Sequence, residues 1–217
     1  MKLYAHPFSS YCQKVLIALY ENGTPFEIRM LAPGDERVAA EHAALWPLKR
    51  IPVLVDEGHT VVEASIIIEH LALHHPGPVR LIPEDPRAAL DVRMMDRVFD
   101  NYVMTPMQKI VFDGLSAAED RDRRGVGDAR ETLEIAYRWL DDVMTARDWA
   151  AGGRFSLADC AAAPALFYAD WVHPIGKTFP NVRAYRQRLL ARPSFARAVD
   201  EARPYRSLFP PGAPDRD

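Results

Sequence analysis

Cysteine is scarce in this chain of 217 residues: there are two, Cys12 and Cys160. They lie too far apart in sequence to build a disulfide framework. Long apolar runs are missing as well, and none approaches the roughly 20 residues needed to span a bilayer. The first residues lead directly into a strand-like run, Lys2-Leu3-Tyr4-Ala5. They lack the charged region and apolar stretch of a secretory signal, so the expectation is a cytoplasmic protein with no membrane partner. An excess of either charge is also absent: 27 Lys and Arg stand against 30 Asp and Glu, for a net charge of −3. Without a basic cluster and interleaved aromatics, a nucleic-acid partner held by phosphate neutralisation is excluded. There is no internal repeat and no low-complexity tract. Gly125-Val126-Gly127 follows a charged loop rather than a strand, so it is not a nucleotide fingerprint. What the chain does have is ordinary globular composition, 48% hydrophobic and 26% charged. At this length folding buries roughly 70–75% of the unfolded chain's surface, enough for a core without staples.

Strand-like and helix-like segments alternate up to about residue 80, and the pattern is helical thereafter. Residues 2–5 form a strand, 10–22 a helix stopped by Asn22-Gly23, 26–31 a strand, and 36–45 a weaker helix closed by Pro47. Residues 52–55 and 60–62 form a hairpin around Asp56-Glu57-Gly58, and a helix with Ala64, Ile67, Ile68 and Leu71 facing inward follows. The order is βαβαββα. The proline-rich stretch His74-His75-Pro76-Gly77-Pro78, then Pro83 and Pro86, permits neither a long helix nor a central strand. The expectation is therefore two domains, 1–78 (α/β) and 86–217 (all-α), joined by 79–85. In the second, Leu90, Met94, Val98 and Tyr102 step by four along a long helix, and 114–127 carries a charged interruption. A helix then runs through Leu133, Ala136, Tyr137, Leu140 and Met144. Ser156-Leu157-Ala158-Asp159 forms a capping box that opens another, with Pro164 inside it, and 181–190 and 194–202 are two terminal helices.

Three segments are candidates for chemistry. In His6-Pro7-Phe8-Ser9-Ser10-Tyr11-Cys12, a strand runs through a turn that sets Ser9 at a helix start, where free amides and the helix dipole favour an anion. Ser9 and Cys12 have the spacing of a redox C-x-x-C pair with the first sulfur replaced by oxygen. Such a pair forms no internal disulfide but offers a hydroxyl to a thiolate. Helix capping is the other reading of Ser9 and Ser10. In Trp46-Pro47-Leu48-Lys49-Arg50-Ile51-Pro52, a proline opening a strand often marks a cis peptide, and the two cations suit a carboxylate; an edge-strand proline with solvated charges is the other reading. At Val62-Glu63-Ala64-Ser65, Glu63 suits an ammonium group, and Ser65 with the first helix amides suits a carboxylate, unless these residues serve only as caps. His74-His75 has no cysteine or carboxylate at ligand spacing, so solvent rather than metal is expected there, and no metal elsewhere. Cys160, on an Ala-rich helical face, reads as an inert buried thiol.

These segments, in order and with Phe155-Ser156-Leu157-Ala158-Asp159, resemble the cytosolic glutathione S-transferase family from Lys2 to about Arg203, nearest its serine-type (theta-, zeta- and phi-like) members. The resemblance implies a thioredoxin-like N-terminal domain followed by an all-helical one, a homodimer, and glutathione as co-substrate. It implies that Ser9 binds the glutathione thiolate and that the Ile51 backbone, before a cis Pro52, binds the cysteinyl part. Arg50 would lie near the glycyl carboxylate, and Glu63 would bind the γ-glutamyl end with Ala64 and Ser65. Two positions depart from the family's pattern: Ala64 stands where Ser is usual, and Lys49 where Gly is usual. The thiolate would attack a small hydrophobic electrophile held against the helical domain, with Phe8, Tyr102, Met104 and Phe112 as candidate lining. The alternatives are a Cys12-dependent glutathione-linked reductase, or a binding protein that keeps the fold with little turnover.

Overall fold

The computed structural model describes residues 1–217. The N-terminal part holds strands β1 (Lys2–Ala5), β2 (Glu27–Met30), β3 (Val53–Asp56) and β4 (His59–Val62), with helices α1 (Ser10–Glu21), α2 (Glu36–Leu45) and α3 (Ala64–His74). The sheet order is β2-β1-β3-β4, with β1 parallel to β2 and antiparallel to β3. The β3–β4 pair aligns Val53 with Val62 and Asp56 with His59. Its turn residues, Glu57 (φ 48°) and Gly58 (φ 85°), both have the positive φ that a two-residue hairpin needs to match strand twist.

The remaining helices are α4 (Pro86–Val98), α5 (Thr105–Asp113), α6 (Arg123–Met144), α7 (Leu157–Val172), α8 (Pro180–Leu190) and α9 (Pro193–Ala202). A π-helical turn over Phe99–Met104 joins α4 to α5. This is the mixed α/β unit followed by helices that the sequence implies. Some helix starts have a plain local cause. Asp85 accepts from the Ala88 amide at 2.8 Å with Pro86 at the first helical position, where its missing N–H costs nothing. In α7, Ser156 and Asp159 form the expected reciprocal box, and the Asp159 carboxylate also takes the Tyr185 hydroxyl at 2.6 Å and the Ala150 amide at 2.9 Å. One apolar core runs without a break from Leu3, Val15 and Leu54 through Ile67 and Phe99 to Leu166 and Phe195, so both parts share a single interior. A small second cluster, Tyr4, Val38 and Val53, lies on the α2 side of the sheet.

The structure sets the facing of one helix and corrects the start of another. The apolar series Leu90, Met94 and Tyr102 points outward, with Tyr102 56% exposed, while Ala89, Val92, Met95, Phe99 and Val103 face the core. Both series have helical spacing, and they differ by about one residue step of 100°. The charged interruption ends earlier than expected, because Asp122 accepts from the Gly125 amide at 2.8 Å and starts α6 at Arg123.

Candidate functional site

The site begins where β1 ends. His6-Pro7-Phe8 turns the chain, and Ser9 is the N-cap of α1, its Oγ accepting from the Cys12 amide at 3.4 Å. That bond uses an oxygen lone pair of Ser9 and not its hydroxyl hydrogen. The turn is held from beneath by two buried groups. Gln13 Nε2 donates to Pro7 O at 3.0 Å and to the Tyr168 hydroxyl at 3.0 Å, and that hydroxyl donates to Phe8 O at 3.1 Å. The position of Ser9 is thus fixed by a helix of the other half, α7.

The second wall is the loop before β3. Its Ile51–Pro52 peptide is cis, as expected, and His42 Nε2 lies 2.9 Å from Arg50 O. Lys49 adopts φ 54°, the left-handed region in which glycine is the unstrained residue. The third wall is the start of α3. Glu63 precedes it with φ 69° and makes no side-chain capping bond, so the first amides of α3 remain open to a ligand. A non-glycine residue held at positive φ beside a cleft is the kind of backbone strain that collects at functional sites.

These walls enclose a cavity of about 550 Å³ lined by Ser9, Arg50, Ile51, Pro52, Glu63 and Ala64, with Phe112 at its edge. An adjoining cavity of about 290 Å³ is mostly apolar, lined by Phe8, Met107, Val111, Phe112, Leu115 and Phe209 among others. Ser9, Gln108 and Phe112 belong to both. The two cavities therefore meet along Ser9, Gln108 and Phe112.

Three of the expected residues lie elsewhere. Ser65 Oγ is turned away from the cleft, accepting from Lys14 Nζ at 2.9 Å and donating to Asp96 Oδ2 at 2.8 Å. Met104 is fully buried in the core. Tyr102 lines a separate outer hollow with Val98, Ile135 and Trp139. Residues that sequence reasoning missed are Tyr11, Trp46, Arg97, Asp100, Asn101 and Gln108 on the polar side. Arg97, Asn101, Gln108 and Phe112 follow helical spacing along α4 and α5, one step round from the Val98–Tyr102 line. Burial, then the charge of Asp100, pushes the Tyr11 hydroxyl up to about 12, so it meets a ligand as a neutral donor. Burial also pushes the Cys12 thiol up to about 11, and its side chain is fully enclosed. That argues against Cys12 as a working nucleophile, which needs an accessible thiolate.

Outside the cleft, the structure overturns the view that no carboxylate lies near His75. Asp56, at the end of β3, has its Oδ2 2.6 Å from His75 Nε2 and 2.8 Å from His70 Nε2.

Comparison with known proteins bears on this geometry. The family description "Glutathione S-transferase, N-terminal domain" matches residues 3–79, and "Glutathione S-transferase, C-terminal domain" matches residues 103–193. A glutathione S-transferase from Methylobacterium radiotolerans, solved in complex with glutathione sulfonate, is 32% identical with a TM-score of 0.78. The match covers 91% of this chain and 93% of that one. A probable maleylacetoacetate isomerase of Vibrio cholerae is 28% identical over 211 residues, 93% of this chain and 96% of its own. The FtsZ-localized protein A of Caulobacter vibrioides is 29% identical over 212 residues, 89% of this chain and 88% of its own.

Proposed function

The chain belongs to the glutathione S-transferase family of enzymes, and from that premise we propose that Ser9 activates the glutathione thiol as a thiolate for attack on a small hydrophobic electrophile. The observation that carries this reading is the meeting of a polar and an apolar cavity at Ser9. A tripeptide with two carboxylates and an ammonium group suits the polar side. Arg50 and Lys49 take the glycyl carboxylate, the backbone of Ile51 takes the cysteinyl part, and Glu63 takes the γ-glutamyl ammonium. Ala64 offers no hydroxyl, so its amide and the open N-terminus of α3 take the γ-glutamyl carboxylate. The apolar side, with Phe8 and Phe112, takes the electrophile.

The chemistry follows from ionisation. A thiol with an ordinary pKa near 8.5 is only a few per cent ionised at pH 7. A hydroxyl hydrogen bond to the thiolate, aided by the positive end of α1, stabilises the charged form. A downward shift of about two units corresponds to roughly 2.7 kcal/mol, within reach of one charge-assisted hydrogen bond and a helix terminus. Turnover of a model aryl halide with glutathione should collapse in Ser9→Ala and survive in Cys12→Ala. The reverse pattern would sink the assignment. Binding of glutathione without turnover of any electrophile would favour the binding-protein reading instead.

The relatives described as maleylacetoacetate isomerases favour a second reading of the same site. The thiolate would add to a double bond, allow rotation, and leave again. Isomerisation of maleylacetoacetate without net loss of glutathione would select it over conjugation.

The reading includes a homodimer. The outward apolar face of Val98, Tyr102, Ile135 and Trp139, around a hollow of about 350 Å³, supports pairing with a second copy. Sedimentation of the wild type against Tyr102→Arg tests it, a dimer in the first and a monomer in the second being the expected result. It also includes a cytoplasmic location, supported by two unpaired thiols and the lack of a helix long and apolar enough to cross a membrane.

A further inference from the structure

Asp56 is a buried carboxylate with no Lys or Arg partner; its ion-pair partners are His70 and His75. Three segments bring this group together. Asp56 is the last residue of β3, His70 lies on the inner side of α3, and His75 follows the end of that helix. The amide of His75 still bonds to Leu71 O at 2.8 Å, and its backbone then turns to an extended φ of −132°. That turn brings the His75 ring back toward the strand, so both imidazole Nε2 atoms face one carboxylate oxygen. The three ligand atoms all lie within 4.8 Å of one another.

We propose that Asp56, His70 and His75 form a binding site for a divalent transition-metal ion of the zinc or nickel kind. Nitrogen and oxygen ligands sit about 2.0–2.2 Å from such an ion, hence roughly 3.3–3.6 Å from one another in tetrahedral geometry. The observed Nε2–Oδ2 separations of 2.6 and 2.8 Å open by about 0.5–1 Å to admit it. On binding, the ion takes the place of the proton that lies between each Nε2 and the carboxylate oxygen. Two imidazoles and one carboxylate suit Zn²⁺, Ni²⁺ or Co²⁺ and do not suit Mg²⁺ or Ca²⁺, which prefer oxygen. Three protein ligands leave a position for water, and the His75 side chain, one-third exposed, provides the way in. The site lies at the far end of β3 from Pro52, roughly 13 Å along the strand, so the thiol chemistry neither needs the ion nor touches it.

The test uses the full chain without an affinity tag, stripped with a chelator and titrated with ZnCl₂ by calorimetry, with Co²⁺ absorption reporting imidazole coordination. About one Zn²⁺ per chain is expected, with binding at least about tenfold weaker in His75→Ala and abolished in His70→Ala/His75→Ala. The His59→Ala/His74→Ala variant, which removes the neighbouring exposed imidazoles, should bind like the wild type. Unchanged thermal stabilisation by glutathione shows that each variant is folded. No Zn²⁺ uptake by the wild type, undiminished uptake in the His70→Ala/His75→Ala variant, or loss confined to the His59→Ala/His74→Ala variant would overturn the assignment.

Discussion

Lys14 Nζ lies 2.8 Å from Asp100 Oδ2, with the lysine side chain wholly buried and the aspartate nearly so. The same ammonium lies 2.6 Å from Asp96 Oδ1. Lys14 is on α1, Asp96 on α4 and Asp100 in the π-helical turn, so this charge cluster ties the thioredoxin-like part to the helical part. Asp100 also borders the polar cavity. Burial pushes its carboxyl up, and Lys14 opposes that shift.

Removing the lysine takes away the buried cation of this cluster and leaves Asp96 and Asp100 with the half-exposed Arg97 as their remaining partner. Lys14→Met is expected to lose about 3–5 kcal/mol of stability, the usual cost of breaking a buried pair from one side. In a chain of this size that lowers Tm by roughly 6–20 °C. Adding Asp100→Asn to Lys14→Met should recover part of the loss. A loss under about 1 kcal/mol by urea denaturation would show the cluster to be dispensable.

Neither thiol should react in the native chain. Burial holds Cys12 up at about 11 and raises Cys160 further, with the Asp159 charge contributing to the latter. At pH 8 a thiol reagent should label neither residue until denaturant is added, and then both. Rapid native labelling of Cys12 would revive it as a nucleophile.

Lys49 sits at φ 54°. Lys49→Gly should therefore cause no loss of stability, while Lys49→Val, a β-branched residue in the left-handed region, should cost about 1–2 kcal/mol. Thermal denaturation of the two variants side by side decides it. An equal effect from both would remove backbone strain as the explanation.

Hydrogen bonds from His70, and then His75, hold the Asp56 carboxyl below its ordinary value of 3.8. A depressed folded value means this contribution to stability is complete above 3.8 and lost as pH falls through the lowered value. In metal-free buffer, the stability gap between wild type and His70→Ala/His75→Ala should be wider at about pH 5 than at about pH 2.5. A gap that stays constant would mean the two imidazoles stabilise the chain by packing alone.

Local chemistry was readable from the residues themselves. The capping box at Ser156, the hairpin turn at Glu57-Gly58 and the N-cap at Ser9 each depend on neighbours within three positions. What depends on distance was not readable. Asp56 meets His70 and His75 across 14 and 19 residues. The rotation of α4 could not be read from spacing, because the inward and outward apolar series have the same period. Lys14 is of a residue type usually found on the surface, and only the packed structure shows the two carboxylates that hold it inside. Ser65 misled for the same reason: a hydroxyl at a helix start faces a ligand or an interior cluster, and only the packed structure shows which.

The two cavities that share Ser9 have walls of separate origin. The polar one is framed mainly by backbone turns at residues 46–52 and 63–64, the apolar one by side chains of residues 107–115 and 208–210. Turns of that kind tolerate few replacements, whereas side chains on one helix face and a terminal segment exchange freely while size and polarity are kept. Substitution can therefore reshape the apolar cavity while leaving the frame of the polar one in place.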